Sequence, residues 1–125
     1  MVTVNSSAGS FPEPVRAASE LLSALASPMR LTIVALLDEH GTRCVHELVT
    51  ALGAAQPLVS QHLRVLRSAG LVAGERHHRE VHYRLVDGHV GHIVRDALDH
   101  AVHMTDEGHL ADDGDGTGVA EEELA

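Results

Sequence analysis

Residues 44–70 read CVHELVTALGAAQPLVSQHLRVLRSAG, and the fold turns on how this stretch divides. Cys44 to Leu52 has helical spacing and stops at Gly53, a residue suited to the left-handed conformation that closes helices. Ala54 and Ala55 leave room only for a short turn before a second helix starts near Gln56-Pro57 and runs to Gly70, although Gln56 is a mediocre N-cap residue. At about 100° per residue, Val59, Leu63 and Leu66 fall on one side of this helix. Gln56, Ser60, Gln61, Arg64, Arg67 and Ser68 share the other. The apolar side suits a core; His62, on its border, is expected to pack there too. The polar side suits DNA, because Gln and Arg pair with base edges bidentately and Arg and Ser bind phosphate oxygens.

Outward from this pair the pattern continues. Upstream, Val15, Ala18, Leu22 and Leu25 keep a helical period, and Ser27-Pro28 supplies a cap and first-turn proline for another helix that stops near Gly41. Downstream, Leu71–Arg76 and Glu80–Leu85 read as strands about the polar tip His77-His78-Arg79. A last helix covers Asp87 to about Met104. The order of four helices, a hairpin and a helix predicts a mainly α chain with a small β-hairpin, a winged helix-turn-helix whose helix at 56–70 enters the major groove. The DNA-contacting residues expected on it and on the wing are Gln56, Ser60, Gln61, Arg64, Arg67, His77, His78 and Arg79.

Composition narrows the function. With 125 residues there is room for one modest core, and with only Phe11 and Tyr83 aromatic, stacking of single-stranded bases is excluded. No apolar run approaches a membrane span and no signal peptide is visible, so a cytosolic protein with no membrane partner is expected. The lone Cys44 permits neither an intrachain disulfide nor a multi-thiolate zinc site. The net charge of −9 is unevenly spread. Residues 105–125 hold eight acids and no Arg or Lys, leaving nine Arg against ten acids in 1–104, and five Arg against two Glu in 56–84. A basic patch survives the acidic total. The chain divides into an N-terminal arm, 1–12, a folded domain, 13–104, and an acidic tail, 105–125; both ends are expected to be disordered.

At this point the chain resembles the ArsR/SmtB family of bacterial metal-sensing repressors, over about Leu21 to His103. The resemblance rests on Leu25-Ala26-Ser27-Pro28-Met29-Arg30-Leu31 with Leu36-Leu37, on Val45-His46-Glu47-Leu48, on Gln56 through Leu66, and on Ser68-Ala69-Gly70-Leu71-Val72. It implies a homodimer built on the first and last helices, which binds an inverted-repeat operator and releases it when inducer binds. It also implies coupling of a ligand imidazole to the backbone near Ala69-Gly70, but it names no inducer.

The last helix is more specific. His92, Asp96, His100 and His103 lie within about 60° of His89 around its axis, beside an apolar arc that includes Ile93, Ala97 and Ala101. Eleven residues separate His89 from His100, about 16 Å along a helix, too far for one tetrahedral ion. If two copies of the helix pack antiparallel across a twofold axis, Asp87 and His89 face the partner's His100 and His103, giving two symmetric sites. The family comparison agrees: its zinc-sensing branch carries an acid, a His two residues on, a His eleven beyond that, and a His or Glu three further. Nitrogen and oxygen donors without thiolate suit Zn(II), with Co(II) also expected to bind. Nickel, Ni(II), is an alternative in which His92 or His109 adds donors; a metal-independent regulator is another. Asp96 or Asp99, four residues before His100 and His103, is placed to orient a ligand or to form a solvated ion pair. Cys44, His46 and Glu47 stand where relatives hold metal on the third helix, and with a single thiol they are read as a relic or as plain helix residues. A zinc hydrolase is disfavoured, because no paired His with intervening Glu occurs and four protein ligands leave no open position for water.

Overall fold

The computed structural model describes residues 10–111, with backbone alone over 107–111. The elements are α1 (Glu13–Leu25), α2 (Pro28–His40), β1 (Arg43–Cys44), α3 (Val45–Leu52), α4 (Gln56–Ser68), β2 (Val72–His77), β3 (Glu80–Leu85) and α5 (Gly88–Ala111). They form two compact units, one ending at Gly91 and the other starting at His92. No single helix among the described residues is long and apolar enough to cross a membrane.

Local chemistry sets the helix boundaries. Ser27 Oγ accepts from the Arg30 backbone N–H at 3.2 Å and Pro28 opens α2, so one of the unpaired donors at the helix start is satisfied and another never exists. Gly53 closes α3 with φ 63°, a conformation that costs an L side chain about 1 kcal/mol or more, and it lets α4 start three residues later. Ala55 caps α4 without a side-chain bond, and Pro57 in its first turn removes one donor that would need a partner.

The core of the first unit is aliphatic. Ile33, Val34 and Leu37 from α2, Leu48 from α3 and Val59, Leu63 and Leu66 from α4 are all buried, joined by Leu71 and Val72 where the chain enters the wing. Fully burying side chains of this size is worth about 1.5–3 kcal/mol each, so the period of α4 seats one face inward and commits the opposite face to solvent.

The sheet has three strands in the order β1-β3-β2, all antiparallel. Only two were expected. β1 is the short segment Arg43–Cys44, paired Arg43↔Tyr83 and Cys44↔His82, and two residues carry no period from which a strand could be read. The hairpin is also shifted: Leu71 precedes β2, while His77 belongs to the strand and pairs with Glu80. The tip therefore shrinks to His78 and Arg79, with His78 at φ 61°, a left-handed conformation that His adopts more readily than most side chains.

α5 extends to Ala111, past its expected end near Met104. Thr105 and Asp106 are tolerated in a helix, no proline follows, and the Thr105 hydroxyl donates to the Ala101 carbonyl at 2.6 Å. Residues 105–111, expected to belong to a disordered tail, are therefore helical; the arm residues 1–9 and the rest of that tail, from 112 onward, lie outside the described residues.

Two predictions follow from this packing. Leu63→Ala is expected to cost about 2–5 kcal/mol in denaturant unfolding, the range for an aliphatic truncation that leaves a cavity. The second concerns the start of α3, where the Cys44 backbone N–H donates to Glu47 Oε1 at 2.9 Å. That bond, opposed by desolvation and then helped by the Cys44 thiol and the charge of Arg43, holds the Glu47 carboxyl below its ordinary range. A depressed folded-state pKa contributes stability above the unfolded pKa, and the contribution is lost as pH falls through the folded value. Glu47→Gln is expected to lower the thermal midpoint at neutral pH and to lower it progressively less as the carboxylate range is crossed downward. An equal difference at both ends of that range would show that no charge is involved.

Candidate nucleic-acid interface and metal ligands

The polar face expected on α4 is turned to solvent. Gln56, Gln61, Arg64, Arg67 and Ser68 are exposed and Ser60 is half-buried, while Val59, Leu63 and Leu66 on the other side are fully buried. Ser60, Arg64, Arg67 and Ser68 line a cleft of about 550 Å³ together with Tyr83 of β3. A smaller cleft of about 250 Å³ lies between the starts of α3 and α4 and the wing, and includes Gln56, Ser60, Arg79 and again Tyr83. Tyr83 went unrecognised in the sequence, because only the pairing of β3 places it beside the reading helix.

The wing has two chemically distinct faces. Alternation along β2 and β3 puts Gly74, Arg76, Val81 and Tyr83 on one side, and Glu75, His77, Glu80 and His82 on the other. On the second face His77 Nε2 lies 3.6 Å from Glu75 Oε1, His82 Nε2 lies 3.5 Å from Glu80 Oε1, and the two imidazoles meet edge to face at 4.9 Å. Of the wing residues expected at DNA, His77 is thus engaged on the face turned away from that of Tyr83, whereas His78 and Arg79 form the exposed tip.

His62 is not a core side chain. It is half-buried, and its Nδ1 lies 3.1 Å from Arg30 Nη1, while Arg30 Nε donates to the Ala24 carbonyl at 2.6 Å. A guanidinium has no acceptor, so the imidazole lone pair receives this bond and its proton sits on Nε2. Arg30 therefore ties α4 to the end of α1, a role that residue spacing gives no means of detecting.

The expected metal ligands lie in two groups. Asp87 Oδ1 accepts from the backbone N–H groups of His89, at 2.9 Å, and Val90, at 3.2 Å, and so caps α5; His89 Nδ1 lies 3.7 Å from the same oxygen. The His89 side chain is 91% exposed. His100 and His103, three residues apart on α5, are both exposed, and residues at that spacing share a helix face. His92 Nε2 lies 3.3 Å from Asp96 Oδ2, so Asp96 partners His92 rather than orienting His100. Asp99 is exposed, and the side chain of His109 lies outside the described residues. Among the described residues no three His, Cys, Asp or Glu side chains converge within the single chain as a metal site would require. At the third-helix position Cys44 is buried with a free thiol, His46 is exposed, and the Glu47 carboxylate is taken up by the helix start.

Comparison with known proteins places this geometry. The model of the family described as bacterial regulatory protein, arsR family, matches residues 27–73, from the Ser27 cap to the entry of the wing. The HTH-type transcriptional repressor SmtB of Mycobacterium tuberculosis is 58% identical over 96 residues, covering 73% of this chain and 70% of that protein. The HTH-type transcriptional regulator NmtR of the same species is 43% identical over 83 residues, 66% of this chain and 68% of that one. Among solved structures, the homodimeric winged helix-turn-helix domain of Mb0332 from Mycobacterium bovis superposes with a TM-score of 0.69 at 27% identity, covering 80% of this chain and 94% of that one. HlyU from Vibrio cholerae gives 0.65 at 31% identity, covering 75% and 99%. These relatives are regulators and not enzymes. With a buried apolar stripe that turns the polar face of α4 outward beside a wing, and with this degree of identity across most of its length, the chain belongs to the ArsR/SmtB family of DNA-binding winged helix-turn-helix transcriptional repressors.

Proposed function

We propose that this protein is a zinc-responsive repressor, binding operator DNA as an apo-dimer and releasing it when Zn(II) occupies sites shared between protomers. The observation that carries the reading is the placement of donors on α5: Asp87 and His89 adjacent at its start, His100 and His103 exposed three residues apart further along. Each pair supplies two nitrogen or oxygen donors, half of a tetrahedral set. Their separation of about 16 Å along a helix requires that the set be completed from a second chain. The same chain offers surfaces for such a dimer. Leu22 of α1 is 54% exposed, and on α5 Val102 and Met104 are 58% and 59% exposed; apolar side chains of this size left in water favour association. The dimer through α1 and α5, and the ligand set Asp87, His89 and the partner's His100 and His103, both rest on this reading.

The DNA-facing part of the proposal assigns Gln56, Ser60, Gln61 and Arg64 to the major groove, Arg67 to the backbone, and His78 and Arg79, with His77 behind them, to salt-dependent affinity at the wing. When bound, the ion supplies a bond between protomers that favours a dimer whose reading helices no longer match successive major grooves about 34 Å apart. The chain's own residues carry the consequence. Asp87 lies two residues past the end of β3 and caps α5, so a change in its position reaches the wing directly. Release follows only if the four ligands hold zinc more tightly in the free dimer than in the DNA complex, and DNA then weakens zinc in return. Co(II) fits the same donors. A Ni(II) response would need further donors, of which His92, paired with Asp96 through Nε2, can offer its Nδ1.

Two measurements test this reading. Arg64→Ala is expected to weaken operator binding by about 1–3 kcal/mol while sparing random-sequence duplex, if Arg64 reads a base; equal loss on both would make it a phosphate contact. His100→Ala is expected to abolish zinc-driven release in an anisotropy titration while leaving apo-protein binding nearly intact. A His100→Ala protein still released by zinc, or equal zinc affinity for free and DNA-bound dimer, would overturn the mechanism.

A further inference from the structure

The cleft between α4 and β3 has a composition that selects its occupant. Its lining is Ser60, Arg64, Arg67, Ser68 and Tyr83: two guanidinium groups, two hydroxyls and a phenol, with no carboxylate among them. Such a set offers many donors and two fixed positive charges, so the complementary ligand is an anion with several acceptor oxygens. At about 550 Å³ the space far exceeds a lone inorganic anion, since even a water molecule claims only about 30 Å³. It has room for a phosphodiester with its flanking sugars.

A second observation shows that the fold reserves the place of the aromatic ring. Tyr83 pairs across the hairpin with Gly74. A Cβ at position 74 would come within 3.0 Å of Tyr83 Cε1 and 3.3 Å of Cδ1, closer than such atoms sit in ordinary packing. The absence of a side chain at Gly74 therefore lets the ring lie across its neighbour's backbone, on the wing face opposite the paired Glu75, His77, Glu80 and His82.

From this we propose that the cleft seats one phosphate of the DNA backbone, held by Arg67 and by a hydrogen bond from the Tyr83 hydroxyl, with Ser60 and Ser68 as further donors and Gly74 as the residue that makes room for the ring. The seat rests on the DNA-binding reading and adds to it a sequence-independent clamp, one cationic arm and one uncharged hydroxyl, joining the reading helix to the wing. Phosphate contacts of this kind fix register without reading sequence. Tyr83 carries no charge, so its bond releases no counterion, whereas Arg67 does. The two contributions are separable by salt.

The test uses a fluorescein-labelled 30-base-pair duplex of mixed sequence, titrated with the full chain across a range of sodium chloride concentrations, with thermal midpoints recorded alongside. Tyr83→Phe is expected to weaken binding about tenfold at every salt concentration, the scale of a hydrogen bond to a charged group, with an unchanged slope of log affinity against log salt and an unchanged midpoint. Arg67→Ala is expected to lower that slope by about one. Gly74→Ala is expected to reproduce the Tyr83→Phe loss with the tyrosine still present. Wild-type affinity in Tyr83→Phe overturns the proposal. If sodium phosphate at matched ionic strength shifts the Tyr83 ring resonances while Tyr83→Phe leaves duplex binding intact, the cleft takes free phosphate and the backbone assignment is overturned. Should the unmodified chain bind neither this duplex nor its own promoter DNA, the DNA-binding reading itself falls and the seat with it.

Discussion

Burial of three side chains on α4 organises the rest of the molecule. Val59, Leu63 and Leu66 are fully enclosed, and once they are seated against Ile33, Val34 and Leu48 the helix has no rotational freedom left about its own axis. Its polar residues must then stand outward together. A reading face needs this rigidity, since a side chain that contacts base edges must be held to within a fraction of an ångström, and a packed core supplies it at no cost to the residues that meet the ligand. The middle of the helix is tied a second time by Arg30, which spans from the Ala24 carbonyl to His62.

The wing extends that surface. Antiparallel pairing from Val72↔Leu85 to His77↔Glu80 separates its residues by chemistry. Tyr83, whose ring is accommodated by Gly74, shares a cleft with the polar face of α4, and the opposite face holds the imidazole and carboxylate pairs. A protein of formal charge −9 can still offer DNA a favourable surface in this way, because five of the nine Arg lie in α4 and the wing, and eight of the eighteen acids lie beyond residue 104.

The residues proposed as metal ligands follow a different logic. Asp87 is a helix cap first, with its carboxylate committed to two backbone donors, and a carboxylate has a second oxygen for another partner. His89, His100 and His103 are all exposed, as the proposed sharing of a metal ion with a second chain would need. The third-helix position contrasts with this. There Glu47 is occupied by the Cys44 N–H, and Cys44 is buried, so these residues serve the start of α3.

Much of this was legible in the sequence because its causes are local. Ser27-Pro28 starts a helix and Gly53 ends one through chemistry confined to a single turn, and the two-sided character of α4 follows from its period alone. The spacing of Asp87, His89, His100 and His103 is likewise a property of the chain, and the proposal of a shared site starts from it. What only the tertiary structure decided involves residues far apart in sequence. β1 exists because Arg43 and Cys44 meet Tyr83 and His82, forty residues of chain brought to one edge. His62 left the core because Arg30 was within reach. His77 joined a strand, and Tyr83 came to line a cleft with the polar face of α4, because hairpin register assigns each residue a face and a shift of one would reverse them all. Periodicity tells which residues of one element point the same way; which element they then meet is settled by packing.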